Sequence, residues 1–133
     1  MENMEILRKG NYTMAKADIL FDKTEFVLRV ADKQAMSMDI RADQITTITF
    51  KPTYQKKMFK KIDSEVMLLQ LKGGAGGPGG GTDGIPVTKE AMENKEKGSW
   101  DKAKAQMIKF AKANSITLHE ETDYWEPPKE NMQ

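Results

Sequence analysis

The sequence contains no cysteine and only one histidine, and these scarcities exclude several kinds of chemistry. Without cysteine, the chain has no disulfide, no thiolate metal site and no cysteine nucleophile. The single histidine, His119, has acidic neighbours, but at their spacing Glu120, Glu121 and Asp123 do not share a face with it, which argues against a metal site. No catalytic arrangement is marked, so we expect a protein that is not an enzyme and has no cofactor and no metal.

The sequence also lacks a long apolar run and an excess of charge of one sign. No stretch approaches the roughly 20 apolar residues of a membrane-spanning helix. The opening MENMEILRKG is too charged for a secretory signal, so a cytoplasmic location is expected. With 21 basic and 20 acidic side chains the net charge is +1, so attraction to nucleic acid or membrane has to come from a local patch.

Glycine is concentrated in one stretch, LKGGAGGPGGGTDGIP at 71–86. The segment GAGGPG at 74–79 formally fits G-x-G-x-x-G, but no helix start follows it, as a Rossmann turn requires. No Lys-Ser or Lys-Thr follows it either, so it is not a P-loop. We therefore expect a flexible loop at 73–84 that connects two strands.

Apolar side chains alternate with polar ones along the first half of the chain, a pattern typical of half-buried strands. The predicted strands are AKADILF (15–21), EFVLRV (25–30), AMSMDIR (35–41), QITTITF (44–50), SEVMLLQL (64–71) and IPVTK (85–89). Short polar connections favour an antiparallel meander. Pro52 is expected to end the fourth strand. The residues after it are ambiguous between a helical turn and a ragged strand, since Tyr54, Met58 and Ile62 recur every four residues.

The period changes at residue 99, where SWDKAKAQMIKFAKAN predicts an amphipathic helix. Its apolar stripe consists of Trp100, Ala103, Met107, Phe110 and Ala111. Ser99 is the expected N-cap and Asn114 the expected left-handed stop. SITLHEE could add a short extended piece. The expected fold is therefore α+β and mainly β: a strongly bent antiparallel sheet or partly open barrel of about seven strands, capped by one C-terminal helix.

The run MDIRADQITTITF resembles the strand entry of bacterial pleckstrin-homology-like (PH-like) and GRAM-like domains, through Ile40, Ile45 and Ile48. Strand order, length and the helix carrying Trp100 and Phe110 agree with that family over residues 12–113. The resemblance implies a scaffold that binds lipids, peptides or neighbouring subunits. The loop that carries basic residues in lipid-binding members is here FDKTEF, which argues against phosphoinositide binding. We expect three parts: a segment at 1–11, the PH-like domain at 12–118 and an acidic, proline-containing tail at 119–133.

The best binding candidate is the basic run KPTYQKKMFKK at 51–61, in which aromatic residues are interleaved with lysines. Its candidate residues are Lys51, Tyr54, Lys56, Lys57, Phe59, Lys60 and Lys61. Lysines neutralise phosphates, while aromatic rings stack on bases or enter a lipid interface. The alternative is a solvated loop whose aromatic rings fold back into the core.

The tail offers a second candidate in Tyr124 and Trp125, either a docking peptide for another protein or a strap on this domain. It is expected to be mobile, although its acidic residues could lie on the lysine run, within or between chains. The chain has ten methionines, of which six mostly fall on predicted apolar faces and are expected to fill the core: Met14, Met36, Met38, Met58, Met67 and Met107. The alternative is a methionine-lined groove for a partner.

The sequence thus favours a non-enzymatic binding or scaffold module with a protein or peptide partner. The alternative is a binder of anionic ligands, with peripheral membrane contact possible and nucleic acid less favoured, through the lysines at 51–61.

Overall fold

The computed structural model describes residues 16–31, 35–72 and 84–126, although not the side chains of Lys56 and Lys57. The strands in these ranges are β1 (Lys16–Phe21), β2 (Glu25–Ala31), β3 (Ala35–Arg41), β4 (Ile45–Lys57), β5 (Lys60–Leu71), β6 (Ile85–Thr88) and β7 (Thr117–Glu120). The helices are α1 (Lys89–Lys95) and α2 (Ser99–Ala113), and a 3₁₀ turn spans Ala42–Gln44. Predictions for residues 1–11, 73–83 and 127–133 lie outside the described residues.

The first sheet is the predicted meander, with strand order β1-β2-β3 and antiparallel pairing throughout. In β2 the alternate residues Phe26, Leu28 and Val30 are buried. On the opposite face Arg29 makes two hydrogen bonds to Asp18, at 2.8 and 2.7 Å, across the β1–β2 pair. These bonds hold the pKa of Asp18 below its usual value, because they favour the charged carboxylate.

The second sheet has the order β6-β5-β4-β7 and is centred on the long hairpin of β4 and β5. β5 pairs with β4 and β6 in antiparallel fashion, so its residues 66–69 are central and buried, as their apolar run predicts. β7 pairs with β4 in parallel, from Thr47 opposite Thr117 to Phe50 opposite Glu120.

The expectation of a mainly β, α+β fold is confirmed, whereas the finer architecture differs from it. Within the described ranges the strands form two sheets rather than one bent sheet, and these do not close into a barrel. The pairing is not antiparallel throughout, and the helix is not the last element, because β7 follows it. Period-two alternation identifies a strand but not its neighbour, so the pattern of β7 could not show that it pairs with β4.

Pro52 does not end β4, which continues through it to Lys57. A proline lacks an N–H group, so it fits a strand only where that group would face an edge. The Pro52 carbonyl accepts a hydrogen bond from the backbone N–H of Trp125, which places its backbone polar side away from β5. The β4–β5 ladder therefore loses no hydrogen bond at this proline. The helical turn considered for this region does not form.

Helix α2 buries the predicted stripe of Trp100, Ala103, Met107, Phe110 and Ala111. Its ends differ from the prediction by one residue. Gly98, at φ 85°, is the N-cap, while Ser99 donates its hydroxyl to the Met92 carbonyl. Asn114 is the C-cap, but the left-handed residue is Ser115, at φ 58°.

Helix α1 was not predicted, because its seven residues are too few to show a helical period. The Thr88 side chain caps it by accepting a hydrogen bond from Ala91 N–H. The Glu93 carboxylate accepts hydrogen bonds from the backbone N–H groups of Gly98 and Trp100. α1 thereby supplies the carboxylate that caps α2, and these backbone hydrogen bonds lower the pKa of Glu93.

The core cluster contains residues of both sheets and both helices, with Trp100 fully buried. Trp100 Nε1 donates to Glu65 Oε1 at 2.7 Å, and Lys104 Nζ donates to Glu65 Oε2 at 2.9 Å. Burial by itself would raise the pKa of Glu65, but the bonds from Lys104 and Trp100 outweigh it and lower the pKa. Phe110 packs edge-on against Phe26, with ring centres 5.3 Å apart. No helix of the described residues combines the length and apolar character needed to cross a membrane.

Candidate binding surface: the β4–β5 arm and the acidic segment

The β4–β5 hairpin extends beyond the strands that flank it. β6 pairs with β5 only between Val66 and Leu69, and β7 pairs with β4 only as far as Phe50. We call the protruding part, residues 53–64, the arm. A two-stranded hairpin is marginally stable by itself, so an arm of this kind is stabilised by whatever packs on it.

The tip of the arm is a two-residue turn made of Met58 and Phe59, both with positive φ, at 48° and 72°. Such turns strongly prefer Asn-Gly, because other side chains are strained at positive φ. Met58 is 87% exposed and Phe59 is fully exposed. The expectation that Met58 fills the core, and the alternative that the aromatic residues of the run fold back, are therefore wrong at this turn. The chain places two large apolar residues where neither packing nor turn geometry favours them.

Lysines meet in pairs directly behind the tip. Lys57 lies opposite Lys60 and Lys56 lies opposite Lys61 in the β4–β5 register. Like charges directly opposite each other destabilise a strand pair. Lys60 and Lys61 are exposed, and the Lys61 ammonium lies 4.4 Å from the centre of the Tyr54 ring, a cation–π contact.

Residues 121–126, which we call the acidic segment, continue from β7 along the edge of β4. The backbone N–H of Glu121 donates to the Phe50 carbonyl at 3.0 Å, and that of Trp125 donates to the Pro52 carbonyl at 2.9 Å. The Thr53 hydroxyl donates to the Trp125 carbonyl at 2.8 Å. These residues were expected to be mobile, but they are bound to the second sheet, as the strap alternative predicts.

Lys51 is the charged centre of this contact. Its ammonium lies 3.0 Å from Asp123 Oδ2 and 3.5 Å from Glu121 Oε1, and its side chain is 15% exposed. The bond to Asp123 is the main reason that the pKa of Lys51 is raised, and it lowers the pKa of Asp123. The Tyr54 hydroxyl donates to Glu126 Oε1 at 3.1 Å, which raises the pKa of Tyr54. The sequence suggested that acidic residues of the tail could lie on the lysine run, within or between chains. The structure shows this contact within the chain, at Lys51.

The structure divides the predicted site residues into two groups. One group forms the contact between β4 and the acidic segment and consists of Lys51, Tyr54 and Trp125. Tyr124 lies beside this contact and is half exposed. Phe59, Lys60 and Lys61 lie on the exposed arm, together with the backbone of Lys56 and Lys57, whose side chains lie outside the described residues.

Two residues of this surface were not predicted from the sequence: Met58, which lies at the tip, and Thr53, which donates a hydrogen bond to the acidic segment. Two exposed residues between strands carry a turn signal only when they are Asn-Gly or similar, and Met-Phe is not. His119 lies exposed on β7 opposite Thr49. In the part of the chain that the structure describes, no three acidic or histidine side chains are grouped so that they could hold a metal ion.

Comparison with known proteins gives no match: no family model, no curated protein and no solved structure is similar to this chain. The geometry of the arm and of the acidic segment is therefore what indicates the function of this protein.

Proposed function

We propose that this protein is a non-enzymatic, cytoplasmic binding or scaffold module of PH-like form, and that it binds a protein or peptide partner through the tip of the arm. The observation that carries the proposal is the exposed Met58–Phe59 turn at positive φ. The PH-like part of the proposal rests on the sequence resemblance carried by Ile40, Ile45 and Ile48, which are core residues here.

The tip disfavours folding in two ways. Each non-glycine residue in the left-handed region costs about 1–2 kcal/mol, and the exposed side chains recover none of this by packing. Strain of this kind collects at binding and active sites, where the surrounding structure holds it in place. The residues at the tip are thus better explained by what they contact outside the chain than by folding.

The tip also defines the chemistry of its partner. A Met and a Phe side chain together fit an apolar pocket, and methionine adapts to irregular ones. Lys60 and Lys61 follow the tip directly, so the rim of that pocket is expected to be acidic. Burial of two such side chains supplies about 1.5–3 kcal/mol each, enough to anchor a small interface.

The double substitution Met58→Asn, Phe59→Gly is the first test. It gives the turn the sequence that its backbone prefers and removes no packed side chain. We expect the free energy of unfolding to rise by about 1–2 kcal/mol, measured by urea denaturation. A loss of stability would show that the tip residues support the fold, which contradicts the proposal.

The same variant tests binding. A photo-crosslinking amino acid at position 59 is expected to form discrete adducts in extracts of the producing cells, whereas the same group at the exposed Leu20 forms none of them. Excess unlabelled wild-type protein should suppress these adducts, while the Asn-Gly variant should not. If the variant competes as well as the wild type, the tip is not the binding element.

A second candidate function is binding to an anionic surface, favoured by the lysine pairs behind the tip. Phosphate groups would neutralise the exposed Lys60 and Lys61. An apolar tip flanked by lysines fits an acidic membrane, where the tip enters the interface and the lysines bind headgroups.

Flotation with phosphatidylcholine vesicles, with and without phosphatidylserine, tests this candidate. Each lysine near an anionic surface contributes about 1 kcal/mol, so Lys60→Glu, Lys61→Glu should weaken vesicle binding by at least about tenfold. Lys102→Glu, Lys109→Glu, at exposed positions of α2, is the matched control. If no protein floats with the phosphatidylserine vesicles at low salt, the membrane hypothesis is wrong. Salt-sensitive binding to a single-stranded oligonucleotide instead would favour nucleic acid.

A further inference from the structure

The acidic segment is held on β4 by two backbone hydrogen bonds, by side-chain hydrogen bonds from Thr53 and Tyr54, and by the ion pairs of Lys51. Between its two backbone hydrogen bonds to β4, the segment advances from Glu121 to Trp125 while β4 advances only from Phe50 to Pro52. A regular parallel ladder would also use the backbone N–H of residue 52, which a proline lacks. The break in the ladder therefore follows from the sequence of β4 itself.

The ion pairs of Lys51 contribute little to the free energy that keeps the acidic segment on β4. Glu121 and Asp123 have side chains 46% and 72% exposed, and ion pairs with exposed partners contribute about 0–1 kcal/mol. A groove of about 510 Å³ runs beside the segment, lined by Phe50, Pro52 and Glu65 of the sheet and by Glu120, Thr122 and Tyr124. Segments with few buried contacts open locally at small free-energy cost. The acidic segment can therefore leave the edge without unfolding the core.

We propose that the edge of β4 from Phe50 to Thr53 is a docking site for an acidic, extended segment of a partner protein, and that residues 121–126 are its resident, displaceable occupant. The site is separate from the tip of the arm, and the proposal does not depend on the function assigned to the tip.

The groups on the edge define what binds there. The Phe50 and Pro52 carbonyls accept hydrogen bonds from backbone N–H groups, the Thr53 hydroxyl donates to a backbone carbonyl, and Lys51 binds carboxylates. The N–H groups of a peptide backbone satisfy both carbonyls, as the resident segment shows, whereas a lipid phosphate or a sugar-phosphate backbone has no N–H to donate to them. The occupant is thus a peptide in parallel orientation, with acidic residues two positions apart as in Glu121 and Asp123.

Intramolecular competition sets how strongly such a partner binds. A tethered segment is present at an effective concentration of the order of millimolar, so a free peptide binds the wild-type chain only by outcompeting it. Weakening the resident segment should therefore raise the apparent affinity for a peptide supplied in solution. Lys51 decides the charge that is accepted, since it is the basic group in contact with Glu121 and Asp123.

A charge-swap experiment tests this with the full-length chain. The first variant, Glu121→Lys, Asp123→Lys, repels its own segment from Lys51. The second, Lys51→Glu, does the same from the other side. The probes are a fluorescent peptide of residues 119–126, HEETDYWE, and its counterpart HEKTKYWE with lysine at the two acidic positions. Fluorescence anisotropy reports binding, circular dichroism checks the fold, and hydrogen exchange at Glu121 or its replacement and at Trp125 reports release of the segment.

The expected result is a matched pattern. HEETDYWE binds the first variant several-fold more tightly than it binds the wild type, and HEKTKYWE binds the second variant more tightly than it binds the first. The proposal is overturned if the segment is released and neither peptide binds, or if binding ignores charge. Continued protection of the Trp125 amide in both variants also overturns it, because the charges at Lys51 would then not control occupancy.

Discussion

Replacing Trp100 by alanine is expected to remove a large part of the stability of this fold. The indole is fully buried and contacts the core from the first turn of α2. Truncation of a buried tryptophan costs about 3–5 kcal/mol, and a domain of this size has about 5–15 kcal/mol in total. The substitution also deprives Glu65 of the hydrogen bond from Nε1, which leaves Lys104 as its remaining side-chain donor.

Urea denaturation followed by far-ultraviolet circular dichroism measures this loss, since it does not depend on tryptophan emission. Phe59→Ala is the matched control: it also truncates a large aromatic side chain, but one fully exposed at the tip of the arm. It should change the free energy of unfolding by less than about 0.5 kcal/mol. Trp100→Phe keeps most of the volume and isolates the hydrogen bond, at about 1–3 kcal/mol. A loss below about 1 kcal/mol for Trp100→Ala would mean that the helix does not anchor the core.

The elements that the sequence predicts well are those whose own residues contain the signal. The stripe of α2 repeats over three turns, so Trp100, Met107 and Phe110 identify the buried face before any partner is known. The meander β1-β2-β3 is similar, because each strand alternates and its connections are short. In these cases local pattern and tertiary packing agree.

The elements that it predicts poorly depend on distant neighbours. Pro52 ends a strand by local rules, yet β4 continues because the missing N–H points to the edge that the acidic segment covers. Helix α1 is too short for a period, and its role is visible only through the Glu93 carboxylate that caps α2. Such features become predictable only when the pairing partner is known.

The candidate site shows the same division. Its composition, lysines with aromatic residues and an acidic tail, can be read from the sequence. The sequence does not show which lysine contacts the acidic tail. The parallel pairing of β7 with β4 places the acidic segment beside Lys51 rather than at the tip. The exposure of Met58 and Phe59 follows from the hairpin register, in which Lys57 pairs with Lys60 and leaves two residues for the turn.

Gly84→Ala is the second substitution with a large expected effect, because Gly84 lies where the chain enters β6 with φ at 91°. An added Cβ would lie 2.4 Å from the Leu69 carbonyl oxygen and 2.8 Å from its carbonyl carbon. Both are backbone atoms of the central strand β5, which is held by β4 and β6 and cannot rotate away as a flexible side chain would. Relief requires β6 to move, and with it the buried Ile85 and Val87.

We expect Gly84→Ala to lower the free energy of unfolding by about 3 kcal/mol or more, the sum of left-handed strain of about 1–2 kcal/mol and displacement of core side chains. Gly98→Ala is the matched control, because Gly98 has nearly the same φ, 85°, but nothing lies within 4 Å of the added Cβ. It should cost only the strain, about 1–2 kcal/mol. The difference between the two variants in urea denaturation isolates the backbone contact from the conformational strain. Equal losses would show that β6 adjusts freely against β5, so that the close approach of Gly84 to Leu69 does not hold the edge of the second sheet.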